Sequence, residues 1–299
     1  MGFLAAFLLP ILHGTCNIID GQFSTKRFKN PITLLFYLRV TYLLSLVLLL
    51  GIFGLPTFPG LEVFALLILA GSLDFLAGIP FLTAYKHADS SVVGAYLSLG
   101  KIFTPIVAFL IVGELLAPVQ YFGFLIIIVA SVALGTKNIR KFKINKGLFL
   151  MLLTAALSSV QVAVLARATR SMEVGEIVFY FTAMQFMLPF VLLFIRKQRR
   201  DIARSFTTYK SLLPIFLLLA VLAATGWFAS TFAMSQLPVM VVSSINALRP
   251  FYMLTVGLVA HKIFNYSLNE KQSKREIVKK LICFLAIALG VAFSVGLFM

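Results

Sequence analysis

Three ionisable side chains stand in the middle of long apolar runs: Asp74, Lys101 and Arg249. An ionised group at the centre of a lipid bilayer costs at least about 2.5–3.5 kcal/mol, so it usually faces a partner or a water-filled cavity. Two cations and one carboxylate give these three residues a net positive charge. The forked guanidinium group of Arg249 suits a carboxylate or a phosphate group. The pattern favours recognition of an anionic molecule. The structural alternative is a buried ion pair of Asp74 with Lys101 or Arg249, and such a pair can also open when a ligand binds.

The two prolines near these cations occupy comparable places in their runs. Pro105 follows Lys101 by four residues, and Pro250 follows Arg249 directly. Proline lacks a backbone N–H and can kink a helix, and in a membrane the freed carbonyl groups are satisfied beside a cavity. We take Pro105 and Pro250 as candidate hinges. The alternative is that they are simply prolines tolerated in spanning helices.

Further polar residues in the apolar runs extend the candidate site. His13, Asn17 and Asp20 follow one another at spacings of four and three, which places them on one helix face. Such a stripe suits a cavity wall or a proton site, and polar helix packing is the alternative. The candidate proton-coupling residues are His13, Asp20 and Asp74. The candidate substrate-binding residues are Asp74, Lys101, Arg249, Asn246, Ser243, Trp227, Tyr96, Asn17 and Gln161.

Patterns that carry catalysis or bind metals are missing from the sequence. It has three histidines, no HExxH pair and no GxSxG serine elbow. Cys16 and Cys283 stand far apart in apolar runs and form no disulfide or zinc pattern. The sequence predicts no catalytic residue, no metal and no cofactor.

The elements that must position these residues are membrane-spanning helices. Of the 299 residues 61% are hydrophobic and 12% charged, whereas a soluble domain is about 45–50% apolar and about 25% charged. A spanning helix needs about 20 mainly apolar residues. Ten such runs lie near residues 2–21, 32–53, 61–85, 90–113, 118–136, 147–168, 175–195, 211–235, 238–261 and 279–298. We predict an all-α integral membrane protein with ten transmembrane helices.

The ten runs divide into two halves of five, 1–136 and 147–299, around a basic linker at 137–146. A tight turn separates the third and fourth runs of each half. Because five is odd, the second copy must enter the membrane upside down. We predict two inverted five-helix repeats around a central cavity, with the binding site between them near the midplane.

Charge is distributed unevenly between the short connectors. The chain has 26 Lys and Arg against 10 Asp and Glu, and 21 of the cations lie in the connectors after runs 1, 3, 5, 7 and 9. The positive-inside bias places these connectors in the cytoplasm and both termini outside. Because the cations are largely confined to short connectors between apolar runs, the sequence argues against nucleic acid as the partner of this basic chain.

The stretch 95–134 resembles the end of an EamA-type repeat in the drug/metabolite transporter superfamily. That pattern joins a proline-bearing helix, a Gly-Glu turn, a glutamine and a glycine-bearing last helix, here Pro105, Gly113, Glu114, Gln120 and Gly123. Arg39 also looks like an arginine common in the second helix of such repeats, although we expect it to snorkel to the interface. The resemblance implies a ten-helix fold, a substrate cavity between the halves and both termini in the cytoplasm, opposite to the charge count.

These observations favour a secondary transporter that moves a small polar metabolite, anionic or zwitterionic, by alternating access. The alternatives are a multidrug or cation exporter, or a flippase for lipid-linked substrates, on the same fold. A membrane-embedded enzyme is less favoured. We expect a multi-pass protein of the cell membrane, of the bacterial inner-membrane type, that acts as a monomer or homodimer and has a small molecule and the lipid bilayer as partners. The substrate, the coupling ion and the direction of transport stay open.

Overall fold

The computed structural model describes residues 1–88, 90–115, 117–135, 146–253, 255–256 and 274–296. Within these ranges the regular structure is helical, without a β-strand. Most of the basic linker 137–146 lies outside the described residues, as does the chain beyond residue 256 in the ninth predicted run. The helices are α1 Gly2–Gln22, α2 Pro31–Val40, α3 Tyr42–Phe53, α4 Gly60–Ala84, α5 Ser90–Leu97, α6 Thr104–Val112, α7 Pro118–Gly135, α8 Lys146–Ala168, α9 Val174–Met187, α10 Arg196–Ser211, α11 Leu213–Gln236, α12 Val239–Asn246 and α13 Lys274–Val295.

Seven helical segments of the described chain are long and apolar enough to cross a membrane. They are Gly2–Arg27, Pro31–Phe53, Gly60–Ala84, Lys146–Ala168, Val174–Phe194, Leu213–Gln236 and Val278–Val295. The prediction of an all-α, multi-pass membrane protein is confirmed at this level. A shorter apolar helix, Pro118–Leu134, covers an eighth predicted run.

The two remaining runs are broken helices, which is why they do not form continuous spans. In the fourth run, α5 passes into the 3₁₀ segment Ser98–Ile102 before α6 begins. In the ninth, α12 ends at Asn246, and two turn residues precede a helical segment at 249–253. The count of ten spans and the internal repeat therefore stay predictions.

Three pairs of helices pack along one another: α1 with α11, α4 with α8, and α7 with α13. The third pair meets at Gly123 and Gly290. A Cβ atom on Gly123 would lie 2.5 Å from the Gly290 carbonyl oxygen, and one on Gly290 would lie 2.8 Å from the Gly123 carbonyl oxygen. Only glycine permits this approach of the two backbones, as in other membrane helix pairs with small residues at the contact.

The break between α5 and α6 is stabilised by hydroxyl groups. The Gly100 carbonyl oxygen accepts hydrogen bonds from Thr104 Oγ1 at 2.9 Å and from Ser159 Oγ at 3.1 Å. Pro105 is the second residue of α6, and Pro250 is the second residue of segment 249–253. At the start of a helix the missing N–H of proline costs little. Each proline thus lies in the first turn of a new helical segment and does not kink a continuous helix. The role of the two prolines as hinges stays a prediction.

Glu114 joins the end of the fourth run to the start of the ninth. Its carboxylate oxygens accept from the backbone N–H groups of Val239 at 3.0 Å and Met240 at 3.4 Å, so it caps the N-terminus of α12. The preceding Gly113 has a φ of 76°, the left-handed conformation that ends helices. The Gly-Glu turn thus has a structural role in holding α6 and α12 together.

Candidate functional site

A cavity of about 240 Å³ lies where α1, α4, α8 and α11 meet the two broken helices. Ten residues that the sequence predicts to be functional line it: His13, Asn17, Asp20, Asp74, Lys101, Gln161, Trp227, Ser243, Asn246 and Arg249. The structure therefore brings together side chains from six separate runs. Their roles in binding or proton coupling stay predictions.

Arg249 is surrounded by neutral acceptors. Its Nε donates to Asn246 Oδ1 at 3.3 Å, and its Nη2 lies 3.0 Å from His13 Nδ1. With its amide oriented to satisfy both partners, Asn17 accepts from Arg249 Nη1 at 3.3 Å and donates to the His13 carbonyl at 3.2 Å. No carboxylate of the described chain pairs with Arg249. The guanidinium group is hydrogen-bonded, but its charge is not neutralised.

Arg249 also fixes the tautomer of His13. A guanidinium group has donors only, so His13 Nδ1 must accept and the ring proton sits on Nε2. That Nε2 is buried, and no residue in the described part of the chain forms a hydrogen bond with it. A Cβ atom on Gly226 of α11 would lie 2.7 Å from it, so glycine makes room for the ring. His13 is therefore held as a neutral acceptor beside a permanent cation, which opposes its protonation.

Lys101 lies in the 3₁₀ segment, at the break between α5 and α6. Its Nζ donates to Ser243 Oγ of α12 at 2.5 Å, and its side chain is buried. Within the described residues no ion pair forms at Lys101. Both cations that were expected near the centre of the bilayer thus enter one cavity from two different helix breaks, and each has neutral hydrogen-bond partners.

Asp74 pairs with Arg39, and not with Lys101 or Arg249. Its Oδ2 accepts from Arg39 Nη2 and, at 2.7 Å, from Gln185 Nε2. Arg39 is only 9% exposed, so the expectation that it snorkels to the interface is wrong. Its Nη1 also donates to Tyr42 at 2.7 Å. Because Asp74 supplies a countercharge inside the protein, Arg39 has no need to reach the membrane surface.

Asp20 lines the cavity from α1, and its buried Oδ1 has no hydrogen-bond partner among the described residues. In contrast to Asp74, Asp20 forms no ion pair among the described residues. A buried polar atom without a partner is costly unless a ligand, a water molecule or a proton satisfies it. Asp20 is therefore the carboxylate of the cavity that is open to bind a proton or a cationic group.

The two aromatic candidates have different environments. Trp227 lines the cavity, with its ring centroid 5.4 Å from that of His13 and 4.8 Å from that of Phe181, which it meets edge to face. Tyr96 is buried instead in an apolar cluster with Tyr85, Leu99 and other residues outside the cavity lining. The assignment of Tyr96 as a substrate contact is therefore not supported.

Sequence reasoning missed the Arg39, Tyr42 and Gln185 side chains that organise Asp74. The available signal was Arg39 itself, a cation in the apolar run FYLRVTYLL with Tyr42 three residues later. The guanidinium carbon lies 5.0 Å from the Tyr42 ring centroid, which adds a cation–π contact. Since Asp74 is 35 residues from Arg39, no local spacing reveals the pair.

The charges around the cavity are unbalanced. The Arg39–Asp74 pair is neutral as a unit, which leaves Lys101 and Arg249 against Asp20. The cavity can therefore hold an anionic group between the two cations, while Asp20 accepts a donor. Neutral hydroxyl and amide groups from α8 and α12, among them Ser158 and Gln161, supply further hydrogen-bonding capacity.

No protein-family model matches the chain, and none of the curated proteins matches it. One solved crystal structure, of a protein described without an activity, aligns with 99% of this chain and 96% of its own. The TM-score is 0.63 and the sequence identity is 14%. At this identity the likeness shows the fold alone. Since it covers nearly all of both chains, the helical arrangement as a whole is shared.

Proposed function

We propose that the chain is a secondary transporter for a small metabolite that carries a carboxylate or a phosphate. One observation carries the proposal: Lys101 and Arg249 enter the same cavity from two broken helices, and each is hydrogen-bonded to neutral side chains. A permanent charge in an apolar surrounding is costly without a counterion. A bound anion supplies that counterion, and its release to either side of the membrane is transport.

The proposal includes a ten-helix plan of two inverted five-helix repeats, as in the drug/metabolite transporters. The helix packing supports this plan. If the second half repeats the first, α8 corresponds to α1 and α11 corresponds to α4, so the packed pair α1–α11 is equivalent to the packed pair α8–α4. α7 and α13 correspond to each other, and they also pack together. The broken helices fall in the fourth and ninth runs, which are equivalent positions in the two halves. Discontinuous helices at a repeat interface are a recurrent way to build transporter sites.

The cavity volume supports a small substrate. Pockets for drug-sized molecules occupy about 300–1,000 Å³, whereas this cavity has about 240 Å³. This volume favours a small substrate over a bulky drug or a lipid-linked sugar. Asp20 has a carboxylate oxygen in the same cavity that no described residue binds. It favours a zwitterion over a simple anion, because it can accept a hydrogen bond from the ammonium group of the ligand.

The test is a screen of the purified protein for thermal stabilisation by small carboxylates, phosphates, zwitterions and organic cations. A ligand that binds only the folded state raises the apparent stability by mass action. We expect hits among anions and zwitterions, with uptake of the same compounds into proteoliposomes. The stabilisation and the uptake should both be lost in Arg249→Gln and retained in Arg167→Gln. The second variant removes the same charge from a side chain that is 50% exposed and lies outside the cavity lining. Hits restricted to cations would contradict the proposal.

A further inference from the structure

The helix α10 is short, basic and unlike the spanning helices. It has 16 residues, Arg196–Ser211, and connects the end of the apolar segment Val174–Phe194 to α11. Six of its residues are cations and one is acidic. All six cationic residues are exposed: Arg196, Lys197, Arg199, Arg200, Arg204 and Lys210. Because α10 connects the ends of two predicted membrane spans, it lies at the membrane surface.

The protein holds α10 by its opposite face. Tyr37 Oη donates to the Ile202 carbonyl at 2.6 Å, and the Tyr37 ring stacks on Tyr209 with a centroid distance of 4.3 Å. Asn30 Nδ2 donates to Asp201 Oδ2 at 2.9 Å and to Gln198 Oε1 at 3.0 Å. The only acidic residue of α10 is thus engaged by the protein. The cationic face is presented outward in a fixed orientation.

An exposed aromatic ring interrupts the cationic face. Phe206 is 56% exposed and lies four residues before Lys210 and seven after Arg199, on the same side of the helix. Phe194, at the junction with the preceding span, is 88% exposed. Apolar side chains flanked by cations are typical of helices that lie in the boundary between headgroups and acyl chains.

The basic surface continues beyond α10. The neighbouring loops form an open pocket of about 720 Å³, lined among others by Lys26, Arg27, Lys29 and Lys86. Lys86 Nζ donates to the Lys29 carbonyl. Asn30, the next residue, is bound to α10. The two basic surfaces therefore adjoin where Asn30 holds α10.

We propose that α10 docks on the phosphate groups of an anionic phospholipid leaflet, with Phe206 in the acyl boundary and the cations of the outer face on the headgroups. Charge complementarity selects the occupant, since anionic leaflets attract clusters of lysine and arginine next to a membrane span. An acidic polypeptide would match the charge but would leave Phe206 without an apolar surrounding. The proposal is independent of the substrate in the central cavity.

The experiment compares lipid binding by the full chain and a variant in which Arg196, Arg199, Arg200 and Arg204 are all replaced by Gln. Native mass spectrometry counts phosphatidylglycerol and phosphatidylcholine retained from equimolar mixed micelles. A cation near a membrane surface contributes about 1 kcal/mol, or about fivefold per charge. We expect the preference for phosphatidylglycerol to fall at least about a hundredfold.

Three comparisons make the result specific. Replacement of Arg167 and Arg170 by Gln removes two exposed cations from a connector that the charge count places on the opposite side of the membrane, and should leave the preference largely intact. Replacement of the four α10 arginines by Lys should retain it, which separates charge from folding. Phe206→Ser should weaken retention of both lipids without changing the preference. An equal loss per removed charge in the variant that lacks Arg167 and Arg170, no preference in the wild type, or tighter binding of an acidic peptide than of anionic lipid would overturn the proposal.

Discussion

Lys101 Nζ donates to Ser243 Oγ at 2.5 Å and thereby joins the break between α5 and α6 to α12. Glu114 makes a second connection between the same two runs when it caps α12 through the Val239 N–H. The two broken helices are thus tied together at one end by a carboxylate and at the cavity by an ammonium group. If the two halves move against one another as proposed, a ligand that draws Lys101 away from Ser243 would loosen one of these two ties and leave the other.

Replacement of Arg249 by Gln should lower the affinity for an anionic ligand at least about tenfold, because a charge-assisted hydrogen bond contributes about 1.5–3 kcal/mol. The same change should leave the thermal unfolding midpoint unchanged or raise it. The partners of Arg249 are neutral, so its removal leaves no carboxylate unpaired. Calorimetric titration and a thermal melt of the purified protein measure the two effects. A marked loss of stability together with unchanged binding would show that Arg249 is structural.

The pair Arg39–Asp74 should behave in the opposite way. Removal of one partner from a buried ion pair costs about 3–5 kcal/mol because the other charge is left uncompensated. We expect Asp74→Asn and Arg39→Gln each to destabilise the protein, and the double variant to be more stable than either single variant. Chemical or thermal unfolding of the four proteins gives the double-mutant cycle. Additive losses in the double variant would contradict a direct pair.

Sequence reasoning located the cavity better than it located the pairings within it. Lys101 and Arg249 were identified because a charge in an apolar run is conspicuous, and their runs hold equivalent places in the two halves. Asp74 was identified for the same reason, but its partner depends on how α2 packs against α4, and spacing along one helix carries no information about that. Tyr96 was proposed by analogy with Trp227, as an aromatic ring inside a spanning run, but its ring packs in an apolar cluster outside the cavity lining, and the packing of α5 against its neighbours decides this. Local patterns thus indicate which residues are unusual, and tertiary packing decides which of them meet.

The contact between α7 and α13 should not tolerate a methyl group. Gly123→Ala would place its Cβ 2.5 Å from the Gly290 carbonyl oxygen, and two rigid backbones would have to separate. Overpacking of this kind costs about 1–3 kcal/mol. Gly51→Ala in α3 is the matched control, because beyond the adjoining backbone of α3 no described atom lies within 4 Å of its added Cβ. Helix propensity alone favours alanine by up to about 1 kcal/mol.

Thermal melts of both alanine variants in the same detergent measure the difference. We expect Gly123→Ala to melt at a lower temperature than the wild type and Gly51→Ala to melt at the same or a higher temperature. A Gly123→Ala protein as stable as the Gly51→Ala protein would show that the two helices do not approach as closely as described.

If transport is coupled to protons, Asp20 should carry the proton and His13 should not. Arg249 holds His13 Nδ1 as an acceptor, and its own charge opposes a positive charge on the ring, whereas within the described structure one carboxylate oxygen of Asp20 has no hydrogen-bond partner in the same cavity. Asp20→Asn should therefore abolish accumulation driven by a pH gradient in proteoliposomes and leave exchange of substrate across the membrane measurable. His13→Gln keeps an acceptor for Arg249 and should retain a pH-driven component. The opposite result would be loss of the response to the pH gradient in His13→Gln with an intact response in Asp20→Asn. It would assign the proton to the His13 imidazole despite the adjacent guanidinium group.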